Sequence, residues 1–294
     1  MENRNQIVCG IDESAESLHA AEMATALALQ LGAEPVLVTV VEDPDTIPYN
    51  GTSERERHRH RAMQEGAELF ERLGITLLDD EAPERVVRLG DPAEVLPLVA
   101  DERDALLLCV GSRGQGRLRA ALLGSVSADV VRAGTRPVLV VSKAAEPDSV
   151  EDGPVLCGID GSFGSLAAAT VASGLAERLG AELIFLQARA RDWGEPDHPF
   201  SRFREAASPH TKVRRIVTVA QPVEALRTVA AEERARLVVV GSRGLSPAQS
   251  VVLGSTSMEL ASSSRCPVVV VPEAVAAAEL EAIAYGSTSP RRIA

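Results

Sequence analysis

A glycine pattern written twice constrains this chain more than any other feature. Gly111-Ser112-Arg113-Gly114 is followed after nine residues (115–123) by Gly124-Ser125-Val126-Ser127. Gly241-Ser242-Arg243-Gly244 is followed after nine residues (245–253) by Gly254-Ser255-Thr256-Ser257. The first copy comes directly after residues 105–110 (ALLLCV), an apolar run with the length and composition of a buried parallel strand. Gly111 and Gly114 release the backbone from that strand in a tight loop, and Gly124 opens a helix. Glycines let backbone N–H groups approach a ligand closely, and a helix N-terminus adds unpaired donors and partial positive charge. Facing one another, two such elements make a phosphate cradle.

The repetition extends beyond the loop. Val8-Cys9-Gly10-Ile11-Asp12-Glu13-Ser14 returns as Leu156-Cys157-Gly158-Ile159-Asp160-Gly161-Ser162, and Arg136-Pro137-Val138-Leu139-Val140-Val141 as Cys266-Pro267-Val268-Val269-Val270-Val271. Gly90-Asp91-Pro92-Ala93-Glu94-Val95-Leu96 returns in degraded form as Ala220-Gln221-Pro222-Val223-Glu224-Ala225-Leu226. The offset is 148 at the aspartates but 130 at the glycines, so the second copy is about eighteen residues shorter in its middle. With G-x2-G-x9-G-[ST] intact in both halves, the chain resembles a tandem universal stress protein over residues 5–143 and 153–272.

Length and repeat together divide the chain into residues 1–145, residues 152–273 and a tail at 274–294. Aromatic residues are only 3% of the chain, so the cores must be built from Val, Leu, Ile and Ala. A formal charge of −12 argues against non-specific nucleic-acid or anionic-membrane binding. The polar start (MENRNQ) and the absence of a run long enough to span a bilayer give the expectation of a soluble, cytoplasmic protein. Cys9, Cys109, Cys157 and Cys266 lie in or beside strands without CxxC spacing; buried thiols fit better than a redox pair or metal site. The run ERERHRHR at 54–61 puts His58 and His60 two apart, on different sides of a helix, and reads as a solvated face.

Hydrophobic patterning predicts strands at 6–11, 35–41, 85–89, 105–110 and 138–142. Helices are predicted at 15–31 (capped by Ser14 and ended at Gly32), near 53–73 after a Pro/Asn/Gly loop at 44–51, at 92–102 and at 125–133. A polar linker spans 144–153. In the second half, Trp193, Pro196, Pro199 and Pro209 leave at most a short helix at 200–207, and the tail suggests an Ala-rich helix near 274–284. Alternating strands and helices give an α/β fold, two tandem doubly wound Rossmann-like domains. The family resemblance implies a five-stranded parallel sheet of order 3-2-1-4-5 in each, with the ligand at the switch point between strands one and four.

The same resemblance implies ATP with Mg²⁺ as ligand. Asp12 and Asp160 would then accept from ribose hydroxyls; the alternative reading is a carboxylate placed to favour a helix start. Main chain at Val40 and Val41 would meet the adenine edge, with Gln187 and Ala188 as counterparts. Backbone amides of Gly111, Arg113, Gly114, Gly124, Ser125, Val126 and Ser127 would hold the phosphates. Gly241, Arg243, Gly244, Gly254, Ser255, Thr256 and Ser257 would repeat this. Ser125 and Ser127 hydroxyls would add bonds or cap the following helix.

No metal cluster, Walker lysine, GxSxG elbow or HExxH is present. The first functional reading is therefore a nucleotide-dependent regulator, and the alternative is a slow ATPase using water near Asp12. Strands 138–142 and 268–271 are expected to meet across a pseudo-twofold axis, making an intramolecular pseudo-dimer, with a homodimer as a further possibility of the family. The first site is expected to bind ATP more tightly, because Arg117 and Arg119 align with Pro247 and Gln249.

Overall fold

The computed structural model describes residues 5–43, 52–73, 83–114, 123–146, 150, 152–189, 200–244 and 253–275. The loop read at 44–51, Arg117, Arg119, Pro247, Gln249, Trp193, Pro196, Pro199 and the tail beyond Val275 lie outside them. The first half comprises β1 (Gln6–Gly10), α1 (Ala15–Leu31), β2 (Glu34–Val41), α2 (Thr52–Arg72), β3 (Glu84–Leu89), α3 (Pro92–Glu102), β4 (Leu107–Gly111), α4 (Ser125–Ala133) and β5 (Val138–Val141). The second comprises β6 (Val155–Gly158), α5 (Phe163–Arg178), β7 (Leu183–Arg189), α6 (Phe200–Ala206), β8 (Val213–Val219), α7 (Pro222–Glu232), β9 (Leu237–Gly241), α8 (Ser255–Ser263) and β10 (Val268–Val271).

The strands form one ten-stranded sheet of order β3-β2-β1-β4-β5-β10-β9-β6-β7-β8. This is 3-2-1-4-5 twice, joined where β5 meets β10 antiparallel, with Leu139 opposite Val269. The expected meeting of those two edges is what the structure shows, and it removes an unpaired strand edge from each half. β4, β5, β9 and β10 are apolar throughout and fully buried, as strands covered by helices on both faces must be. Two apolar layers sandwich the sheet and each runs through both halves: α1, α5 and Phe203 of α6 on one face, α3, α4, α7 and α8 on the other.

Local sequence explains the helix ends. Ser14 and Ser162 accept from the Ser17 and Ser165 N–H at 3.1 Å, and Asp91 accepts from the Ala93 N–H at 2.7 Å. Gly32, at φ 62, ends α1 in the left-handed conformation. Gly66 lets α2 lie on β2 and β3, where a Cβ would come within 2.6 Å of Val87 and 2.9 Å of Val41. The seven-residue α6 instead packs Phe200 and Phe203 on Phe185, and Val219 on the edge strand is 65% exposed.

Each edge strand is tied to the helix after it by a bidentate ion pair whose sense is inverted between the halves. Arg103 grips Glu84 of β3 at 2.5 and 2.6 Å, and Arg214 of β8 grips Glu233 at 2.9 and 2.5 Å. Between the halves, Ser142 donates to Ser264 O (2.6 Å) and Glu146 N–H to Arg265 O (2.9 Å). Arg236, 6% exposed, donates to Gly153 O (2.9 Å) and to Gln30 of α1 (3.1 Å). The four thiols are free and buried, and burial pushes Cys109, Cys157 and Cys266 up, away from the reactive thiolate. The 54–61 segment presents its arginines and histidines to solvent, as its spacing suggests.

Candidate functional site

β1 and β4 are neighbours, yet their connections leave toward opposite ends of the half-sheet, so a crevice opens beyond their carboxyl ends. Asp12 stands on one side of it. Its Oδ1 accepts from the Ser14 N–H (3.0 Å) and hydroxyl, an Asx-type turn that starts α1. Its Oδ2 faces Gly114 across the crevice, where a Cβ would come within 2.7 Å. Asp12 therefore joins both readings: one oxygen shapes the helix start and the other looks toward the glycine loop. Asp160 repeats this, accepting from Ser162 N–H at 2.9 Å and lying 2.5 Å from a Cβ on Gly244.

The opposite wall is the strand–loop–helix unit. Gly124 N–H donates to Ser112 O and Gly254 N–H to Ser242 O, both at 2.8 Å, so each loop folds back on the strand end. A Cβ on Gly124 would sit 3.2 Å from Arg113 Cα, and one on Gly254 3.2 Å from Ser242 O. With glycine at the N-cap, no side chain caps α4 or α8. Among the described residues, no side chain takes the first-turn N–H groups at Ser125 and Val126, or at Ser255 and Thr256, which suits them to an external acceptor. In the second half these groups enclose a cavity of ≈230 Å³ lined by Asp160, Gly241, Arg243, Gly244, Gly254, Ser255, Thr256 and Ser257, with Ile159, Leu186, Leu226 and Val240 as its apolar wall.

At the far end, Ile11 N–H bonds Val38 O (2.8 Å), and β1 ends its pairing with β2 at Gly10. Two residues on, Val40 presents its main chain the same way, past the end of β1, whereas Val41 O turns to Gly90 N–H at 2.9 Å. Ile159 N–H bonds Leu186 O at 2.9 Å, so the counterpart of Val40 is Ala188 and that of Val41 is Arg189.

Three expectations need correction. Gln187 is off by one register position: it matches Thr39, does not line the cavity, and accepts from Arg215 at 2.8 Å, whereas Ala188 does line it. The Ser127 and Ser257 hydroxyls are buried and donate to Gly111 O and Gly241 O at 2.7 Å, tying helix to strand. Only their main-chain N–H groups remain for a ligand. Finally, Gly111 is the last residue of β4 rather than part of the loop, and its missing side chain admits the α1 backbone: a Cβ would come within 2.9 Å of Glu16 C and O. None of Gly111, Gly114 and Gly124 has positive φ, so close approach, not left-handed strain, is what demands glycine there.

The family model of the universal stress protein family matches residues 3–142 and again 153–272. The chain belongs to this family. A universal stress protein of Mycobacterium tuberculosis is 28% identical over 298 residues, covering 92% of this chain and 97% of the relative. One of Mycolicibacterium smegmatis is 32% identical over 294 residues, covering 90% and 96%. The crystal structure of an Archaeoglobus fulgidus universal stress protein shares the fold, with TM-score 0.61 at 21% identity over 92% of this chain and 99% of that one.

Arg243 of this universal stress protein's second site was read from sequence, but its partner Glu273 was not. Arg243, on the cavity wall, is ion-paired with Glu273, two residues beyond β10. The matching position after β5 is Lys143, and this sign change at one offset was a legible signal.

Proposed function

We propose that the protein binds adenine nucleotide in both crevices, with ATP and Mg²⁺ among the bound forms, and acts as a nucleotide-dependent regulator in the stress response. The observation that carries this reading is the ≈230 Å³ cavity in which a carboxylate, a glycine loop and an uncapped helix N-terminus converge. The Asp160 oxygen that faces Gly244 would accept from ribose hydroxyls, the Ala188 main chain would take the adenine edge, and the N–H groups of Ser255 and Thr256 would hold phosphate oxygens. Asp12, Val40, Ser125 and Val126 would do the same in the first half. The cradle fits the group: the positions where side chains would intrude are glycines, and the unclaimed donors are N–H groups. Among the described residues no group of three or more His, Cys, Asp or Glu could hold a metal ion, so Mg²⁺ would sit on the phosphate oxygens.

Among the described residues, the cavity lining offers one carboxylate and one arginine, with no histidine or lysine to move a proton. This favours binding over hydrolysis. No described helix is long and apolar enough to cross a membrane. Mass spectrometry of nucleotide released from the native protein tests the reading, and adenine nucleotide that includes intact ATP is the expected species. Protein that binds no adenine nucleotide by calorimetry would end it, and steady phosphate release abolished by Gly124→Ala would turn it into an ATPase.

A further inference from the structure

The two crevices differ in charge at one matched position. Ser112 N–H bonds Val141 O at 2.7 Å and Ser242 N–H bonds Val271 O at 2.8 Å, so the ends of β5 and β10 share one register against their loops. Two positions past those carbonyls stand Lys143 and Glu273. Glu273 reaches the Arg243 guanidinium, and Arg243 is the cation that lines the second cavity beside Ser255 and Thr256. Lys143 at the equivalent place adds a positive charge instead.

We propose that Glu273 sets the ligand class of the second crevice, which takes an adenine nucleotide with a single phosphate in preference to ATP, while the first takes ATP. The inference rests on the nucleotide reading above. A chain of three phosphates leaving the α8 N-terminus would run onto an arginine already neutralised by a carboxylate. It would have to displace Glu273 or lie against its like charge. A single phosphate is held by the α8 amides and needs neither. The Glu273 carboxylate is 62% exposed, so its substitution leaves the packed layers untouched.

Calorimetry with AMP and with ATP on the full chain, on Glu273→Gln and on Glu273→Lys, tests this. In the unsubstituted protein ATP is expected to fill one tight and one weak site. Glu273→Gln should tighten the weak ATP site by about tenfold while AMP affinity changes by less than about twofold, and Glu273→Lys should tighten it further. Two-site binding with an ATP-to-AMP ratio unchanged by either substitution overturns this inference and leaves the nucleotide reading standing. Binding of neither nucleotide by the unsubstituted protein overturns both.

Discussion

Gly111 and Gly114 stand three positions apart and have opposite consequences. A methyl on Gly111 meets the backbone of α1 at 2.9 Å, and helix backbone in a packed layer cannot shift cheaply. Gly111→Ala is expected to cost about 2 kcal/mol or more of stability, read by urea denaturation. Among the described residues, a methyl on Gly114 meets the Asp12 carboxylate at 2.7 Å, at an exposed position. Gly114→Ala should therefore leave the denaturation midpoint nearly unchanged and weaken ATP at the first site by about tenfold, about 1.4 kcal/mol. Equal stability loss in both variants would contradict these assignments. Ser127→Ala removes the donor to a buried carbonyl, so it should cost about 1–2 kcal/mol of stability with nucleotide affinity held within about twofold, checked by denaturation and calorimetry on one preparation. Spacing alone located the glycines, because the backbone shape they permit is local. It could not assign the Ser127 hydroxyl, whose acceptor lies sixteen residues back and is met only when β4 and α4 pack. Gln187 was misplaced for a related reason: register is fixed by the Ile159–Leu186 hydrogen bond between strands, which the apolar pattern of β7 does not encode.

Among the elements, the edge strands are the ones whose attachment depends on charge. Arg103 holds the Glu84 carboxyl below its ordinary range through paired hydrogen bonds, and Arg214 does the same to Glu233. A carboxyl with a depressed folded-state value contributes stability above its unfolded value of about 4.5, and loses that contribution as pH falls through the folded value. Both pairs are solvent-screened, so the effect is modest. Thermal midpoints measured from about pH 6 to pH 3 should fall, and the fall should be smaller in the double variant Glu84→Gln, Glu233→Gln. An identical pH profile in the double variant would show that these pairs contribute nothing. Strand and helix positions were legible to within a residue or two because buried strands read as unbroken apolar runs. The inverted pair was not: each arginine looks like any surface cation until β3 meets the end of α3, and β8 the end of α7.

For the molecule as a whole, the question is whether ten strands behave as one cooperative unit. The β5–β10 junction is fully buried, and both apolar layers pass across it without a break. The repeat made that junction foreseeable, since two halves with matching exposed edges can satisfy each other. The Arg236 latch was not foreseeable, because its partner Gln30 lies 206 residues away and the matching residue in the first half is Leu106. A shared sheet, shared layers and a buried latch leave little surface on which one half could open alone. Leu37, fully buried in β2, lies in the first half, five strands from β9. Leu37→Ala should cost about 2–5 kcal/mol. If the halves unfold as one, hydrogen exchange of β9 amides must accelerate by the same factor as that of β1 amides. The measurement is mass-spectrometric exchange on peptides from each half, under conditions where global opening limits exchange. Acceleration confined to β1, β2 and β4, with β9 and β10 unchanged, would mean that the junction transmits no stability and that the halves are independent domains which happen to touch.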